Sequence, residues 1–505
     1  MDFAQGSQLL TPYNIPTLLG GAVVTAIVYQ LGLAVYNIYF HPLRSYPGPR
    51  LHAASRLPYV LDLWRGNINN RIVKAHQQYG EVIRIAPDEL SFISGDTAWQ
   101  DIYGFRGAKK AEFGKDLHWY AAPPNGVRSL ISSTREDHAR VRRVFSHAFS
   151  DKALREQEPL IQRYIDLLIQ RLHEKVKAGA DVDMVRYYNF TTFDIIGDLT
   201  FGQSFGCLES DDYHALVRGV FASVRALTTK LALRYYALVE KAYYTWNAIV
   251  HKGRLAGNVI FFNFTAEKVD KRLATETQRA DVVTAVQNQP ESKALSEQEL
   301  KSNSVLFLIA GSETTATMLS GTTYALLKNP AVMKKLCEEI RGAFESQEEI
   351  TFERVNRLPY LIAVLNEGLR MYPPVPTGFP RRVPDGGDTV SGHYVPGNTA
   401  VYVSQYAANH SAQNFTEPEL FAPERWLDDA RFANDKKSVL MPFSNGPRNC
   451  LGKNLAYAEM RAILAKVLFR FDLELVDKKT DWFDQRVFTL WEKSPLMARL
   501  TEVRR

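Results

Sequence analysis

Cys450 lies in the segment FSNGPRNCLG, from Phe443 to Gly452, and is one of three cysteines in the chain, with Cys207 and Cys337. Nothing near it resembles a zinc or disulfide partner. Beyond it, Leu455, Met460, Ile463, Leu464 and Leu468 recur at helical spacing, which puts Cys450 at the mouth of a helix. The bare N–H groups and positive dipole end of that helix, with Arg448 two residues earlier, are expected to favour thiolate over thiol. A lone thiolate on a short loop serves as a nucleophile or as one axial ligand of a metal macrocycle. A nucleophile needs a base, and no histidine is near in sequence, although a distant one can fold back. Gly446 and Gly452 carry no Cβ and let backbone pass close to a large flat ligand. Phe443 can shield one side of the sulfur, and Arg448 can pair with an acid group on such a ligand.

A second chemical stretch is FLIAGSETTATM, from Phe307 to Met318, in which polar residues interrupt an apolar stripe. Ser296 and Glu299 form a capping box that opens a helix running to Asn329, before Pro330. Gly311 with Thr314, Thr315 and Thr317 weakens that helix and predicts a local opening of its backbone. Glu313 is costly to bury without a partner. Periodicity alone leaves open a solvated glutamate on the far face.

The spacing Phe443, Gly446, Arg448, Cys450, Gly452 resembles the haem-binding loop of the cytochrome P-450 family. That resemblance implies haem iron held by the Cys450 thiolate. The family motif Ala/Gly-Gly-x-Asp/Glu-Thr-Thr/Ser matches Ala310, Gly311, Glu313, Thr314 and Thr315. The resemblance implies that Thr314 hydrogen-bonds dioxygen and that Glu313 helps to bring in protons. Where relatives often carry Trp-x-x-x-Arg for the propionates, DHARVRRVFSHAFS (137–150) supplies His138 and Arg142. Arg142 carries over; His138 reads equally as a propionate contact or an ordinary satisfied histidine. Arg382, preferred to Arg381, is expected to make a further propionate contact. Pro359 to Met371 is helical in pattern, with Glu367 and Arg370 three apart on one face. Together with Arg425 of PERW (423–426) they resemble the buried triad that holds the family's fold behind the haem. By resemblance Val375, Thr377 and Phe379, with Phe488, Thr489 and Leu490, face the substrate pocket.

These motifs need a large scaffold, and 505 residues at 46% hydrophobic and 23% charged supply one. The net charge of +6 is small and scattered, so a nucleic-acid partner is not indicated, and three cysteines fit a reducing compartment. Thr17 to Phe40 holds no charged residue; as a helix it would span roughly 36 Å against a hydrocarbon core of about 30 Å. Tyr29, Tyr36 and Tyr39 suit an interfacial end, and no basic segment precedes the run as in a signal peptide. Arg44, Arg50 and Arg56 follow it and only Asp2 precedes it, which leaves the body cytosolic. Tyr46, Pro47, Gly48 and Pro49 then form a stiff break.

The expected organisation is an anchor over residues 1–40 and a haem-thiolate monooxygenase domain over 41–505, single-pass on the endoplasmic reticulum. Glu81 to Ser94 predicts a hairpin, and 101–126 a long loop whose Phe113, Trp119 and Tyr120 either pack the loop or wall a ligand site. Residues 153 to 290 read as helical and aromatic, including Phe221, with a break at Gly197, Gly202 and Gly206. The resemblance places the family's substrate lid there. Thr389 to Ser404 alternates around Pro396 and Gly397 and predicts a second small sheet.

The fold implied, over residues 40 to 495, is the mainly α cytochrome P-450 fold with small β-sheets, plus one N-terminal transmembrane helix. The activity implied is insertion of one atom of O2 into a lipophilic substrate, with haem b as cofactor. Electrons would come from NADPH through a membrane-bound reductase, with cytochrome b5 as an optional second donor, since the chain has no dinucleotide fingerprint of its own. Lys453, Arg461 and Lys466 are candidates to meet that reductase, or form a solvated basic face. The overall style is similar to fungal secondary-metabolism enzymes such as the trichothecene-pathway hydroxylases, which favours a terpenoid or meroterpenoid substrate over a polyketide or alkaloid. Two competitors use the same loop: a haem-thiolate isomerase or dehydratase, and a non-catalytic haem sensor. Glu313 and Thr314 argue against both.

Overall fold

The Glu299 N–H donates to Ser296 Oγ (3.2 Å) and the Ser296 N–H donates back to Glu299 Oε2 (2.8 Å). This reciprocal cap satisfies two donors that a helix start leaves bare, and it opens a helix from Glu297 to Lys328. At 32 residues the helix is about 48 Å long. In this computed structural model, which describes residues 15–95, 97–107, 110–250, 257–275, 279, 281–290 and 294–504, the helix is the central strut. Asp2 and the side chain of Phe221 lie outside the described residues. Helices Met184–Phe201, Gly257–Leu273, Pro359–Met371 and Lys453–Arg470 all pack on the strut. Gly311 allows the close approach of Met184–Phe201, since a Cβ there would stand 2.8 Å from the Ile196 side chain.

The expected opening of this helix is absent. The hydroxyls of Ser312 and Thr314 donate to the carbonyls of Leu308 and Ala310, both at 2.6 Å, so they double the helical bonds without displacing them. The break expected at Gly197 also moves. Gly197 is inside the helix Met184–Phe201, where a Cβ would meet the Phe205 ring at 2.7 Å. The chain turns instead at Gly202 and Gly206, both with positive φ.

Val82–Ala86 and Glu89–Phe92 form the expected hairpin. A second hairpin, Asp388–Val390 with His393–Val395, turns on Ser391 and Gly392 rather than on Pro396 and Gly397. Both turn residues have positive φ, as a two-residue hairpin loop requires. The following strand, Ala400–Val403, leaves that hairpin and joins the first sheet parallel to Glu89–Phe92. Arg381–Arg382 and Gly114–Lys115 complete this five-stranded sheet.

Two apolar clusters result. One surrounds the strut, with Phe190, Phe193, Leu319, Leu365 and Ile463; the other backs the sheet, with Ile83, Phe92, Val401 and Val403. At the N-terminus Ile15–Tyr39 is helical, and its Gly20–Tyr39 portion is apolar, long enough to cross a membrane and buried nowhere. The link after it is seated by the Arg84 N–H, which donates to Pro47 O (2.7 Å).

Candidate active site

The Cys450 loop joins the two clusters: Phe443 packs on the first, and Gly446 lies against Tyr103 of the second. A short 3₁₀ turn, Gly446–Arg448, leads into Cys450, whose N–H donates to Phe443 O (2.8 Å). Gly446 has φ +72°, and a Cβ there would fall 2.0 Å from the Tyr103 carbonyl oxygen. Its role is therefore to fit the protein's own backbone, whereas a Cβ at Gly452 would meet no protein atom within 4 Å. Arg142 donates to Asn449 O (2.6 Å) and Asn449 Oδ1 (2.5 Å), gripping the residue before the cysteine. The sulfur is accessible. The expected thiolate preference is reversed in the protein alone: burial pushes the Cys450 thiol up, and the Gly452 backbone, Arg142 and Lys453 only partly oppose it.

Around this loop the charge is one-sided. Arg448 and Arg381 both reach the Glu112 carboxylate, and Arg448 also donates to Ser133 O (2.9 Å). Lys115 lies 4.2 Å from the centre of the Tyr120 ring, and burial together with Arg381 and Arg448 drives its ammonium far below the usual range. His138 is buried, and desolvation with Arg448, Arg142, Lys115 and Arg381 lowers it to about 3, so it is neutral. Arg381 Nε is buried without a hydrogen-bond partner.

Arg382 does not belong to this group. It turns to Asp88 (2.9 Å), Asn398 O (2.6 Å) and Asp116 (3.1 Å). The reason is strand alternation. Arg381 and Arg382 point to opposite faces, and Arg381 is the one paired with Lys115 across the sheet.

On the strut, Ala310 is exposed and Thr314 half-buried, while Phe307, Leu308, Ser312 and Thr315 beside them are buried. This accessible strip lies in the middle of an otherwise buried helix. Glu313 is buried, so the solvated alternative falls. Lys493 pairs with its Oε1 and donates to Thr317 Oγ1 (2.7 Å). Nothing in the sequence joins residues so far apart, so no local signal marks Lys493. Glu459, on the helix that follows Cys450, reaches Thr315 on the strut, and burial raises its carboxyl to about 8.

A model of the family described as cytochrome P450 matches residues 49–497. The chain belongs to the cytochrome P450 family. It is 49% identical over 98% of its length to the cytochrome P450 monooxygenase lcsI of Purpureocillium lilacinum, covering 96% of that relative. It is 45% identical to the cytochrome P450 monooxygenase traB of Penicillium crustosum, covering 97% of this chain and 98% of the relative. It is 44% identical to an averantin hydroxylase of Dothistroma septosporum, covering 98% and 93%. This P450 is thus a monooxygenase with the family's haem, O2 and reductase-supplied electrons, and the isomerase and sensor readings fall.

Its donor set fits the haem: an accessible thiol, an open face at Gly452, and a surplus of buried cations with one unpartnered N–H at Arg381. In this P450 Glu367 takes two bonds from Arg370 (2.9 and 2.8 Å) and lies 3.5 Å from Arg425, all three fully buried. Trp426 Nε1 (3.0 Å) and Asp435 extend the group. Thr377 Oγ1 is buried without a partner, and Phe379 packs edge-on against Trp119 (5.8 Å), which in turn meets Tyr120. Phe113 is wholly buried under Arg106 and belongs to packing. Thr489 lies at a hairpin tip, 3.4 Å from Thr228. Of the three basic residues considered for docking, Lys453 is exposed, Arg461 is partly covered and bound to Asn356, and Lys466 is buried against Asp166 (2.6 Å). Lys466 is therefore removed from that set.

Proposed function

We propose that this P450 is a single-pass protein of the endoplasmic reticulum, anchored by residues 1–40, with a cytosolic monooxygenase domain over 41–505. NADPH supplies the electrons through a membrane-bound reductase, with cytochrome b5 as an optional second donor. The substrate is a lipophilic secondary-metabolite intermediate, with terpenoid or meroterpenoid favoured over polyketide or alkaloid. Hydroxylation is the preferred outcome, by similarity to the relative named as a hydroxylase.

Haem b, once bound through Cys450, supplies the activation of O2 with the thiolate donating electron density. Arg448, Arg142 and Arg381 provide the positive field for its two acid groups, with Lys115 and His138 as further contacts; Arg381 replaces Arg382 in this role. Phe443, its ring tilted against that of Tyr457 at 5.0 Å, shields the sulfur. The Thr314 hydroxyl, now donating to Ala310 O, is on the accessible strip and can offer its proton across it. Glu313 passes protons inward, and Val375, Thr377, Phe379 and Leu490 orient the substrate and exclude water.

The observation that carries this reading is an accessible thiol beside a buried excess of cations. The test is the carbon-monoxide-bound spectrum of the reduced membrane fraction. The intact protein should show a red-shifted Soret band that Cys450→Ala abolishes. Haem-loaded, folded protein without that band overturns the assignment.

A further inference from the structure

The Glu313–Lys493 pair is the most deeply buried charge contact on the strut outside the haem-facing cluster. Both side chains are at most 3% accessible. No other cation among the described residues pairs with Glu313. Glu313 Oε1 takes the Lys493 ammonium, whereas Oε2 is buried with no hydrogen-bond partner. A half-satisfied buried carboxylate costs stability, so a merely structural pair would be expected to satisfy both oxygens.

Lys493 is also held firmly from both sides. Before it, Trp491 Nε1 donates to Pro373 O (2.8 Å) and its ring stacks on Tyr372 at 4.4 Å. The Glu492 N–H donates to Arg486 O (2.9 Å), and after it Ser494 O accepts from Trp482 Nε1 (2.9 Å). Its ammonium is fixed as well by donating to Thr317, one turn along from Glu313.

We infer that Lys493 is the positioning residue for Glu313: its ammonium holds the buried carboxylate by Oε1 and leaves Oε2 free to relay protons. This rests on the reading of Glu313 as the proton carrier. Without a cation a buried carboxylate takes up a proton and holds it. With Lys493 on Oε1, Oε2 accepts a proton from a solvent-derived acid and releases the same proton on the Thr314 side, ending as it began. The role of Thr317 is to orient the ammonium.

The test uses the full-length, haem-loaded protein and cumene hydroperoxide as probe. When a proton reaches the leaving oxygen, the O–O bond splits with both electrons to give 2-phenyl-2-propanol. When none does, it splits evenly, and the cumyloxyl radical left breaks a C–C bond, expelling a methyl radical to give acetophenone. The alcohol-to-ketone ratio should fall about ten- to a hundredfold in Glu313→Gln and in Lys493→Met. The double variant should fall no further, and Lys493→Arg should recover most of the ratio. The carbon-monoxide band should stay at the parent level throughout. In Lys493→Met an infrared carboxylic-acid band should appear that the double variant lacks.

A parental ratio in Lys493→Met, with loss in Glu313→Gln, overturns the role of Lys493 and leaves Glu313 standing. A parental ratio in Glu313→Gln removes the reading of Glu313 and this inference with it. Should Lys493→Met not fold, the double variant, which buries no lone charge, decides the matter. A ratio clearly below that of Glu313→Gln alone would show that Lys493 acts independently and overturn the inference.

Discussion

Glu367→Gln changes almost no volume and removes one charge from the centre of the fully buried Glu367–Arg370–Arg425 group. The carboxylate accepts Arg370 Nε and Nη2, the Ala422 N–H (3.0 Å) and the Trp426 indole N–H (3.0 Å). In the variant Arg370 retains only the carbonyls of Asn409, Pro418 and Leu420 and the Met371 sulfur, which orient the guanidinium without neutralising it. Arg425 keeps Asp435 and is spared. The new amide also sets N–H donors against donors. Breaking one side of a buried pair costs about 3–5 kcal/mol, a large part of a typical stability of about 5–15 kcal/mol. An unfolding entropy of about 2.1 cal/mol/K per residue over this length converts that loss into a melting temperature roughly 3–5 °C lower. Circular dichroism melting of haem-loaded protein, at matched scan rate, measures it. A Glu367→Gln midpoint within about 1 °C of the parent would refute the argument, because an uncompensated Arg370 cannot be that cheap.

Gly446→Ala should cost more than the roughly 1–2 kcal/mol of a left-handed alanine, because its Cβ also strikes Tyr103 O; the readout is haem retained per protein by the carbon-monoxide spectrum. Glu459, ordinarily 4.5 but raised to about 8 by burial, contributes stability that is present below its ordinary value and lost as pH rises through about 8. Glu459→Gln should flatten the fall in urea stability between those values by about one proton's worth of slope. Lys453→Glu should raise the apparent reductase KM and its salt dependence, whereas Lys466→Glu, striking a buried pair, should lower the melting temperature instead; an unchanged KM for Lys453→Glu ends its docking role.

Local signals located the helices well. The capping box and Pro330 bracket the strut, and Pro359–Met371 is helical over the span its leucines predict. Signals that depend on distant partners were illegible. Two adjacent arginines offer no hint of which faces Lys115 until the sheet register is known, so Arg382 was preferred where Arg381 lies inward. Glycine was recognised at 446 and 311 but for the wrong neighbour: Tyr103 backbone and Ile196, not a ligand or a helix opening. The thiolate expectation for Cys450 counted the helix dipole and omitted desolvation, which is the larger influence. Lys493 had no local pattern, since its meaning comes entirely from Glu313.

The parallel pairing of Glu89–Phe92 with Ala400–Val403 has a consequence for biosynthesis. The N-terminal hairpin leaves the ribosome with one edge bare, and the strand that covers it follows about 300 residues later. At roughly 5–20 residues per second that edge waits some 15–60 s, beside an apolar helix already able to enter a membrane. Nascent chains of this P450 should therefore depend on chaperones that bind exposed strands, and truncations ending before Ala400 should aggregate during translation rather than accumulate as folded fragments.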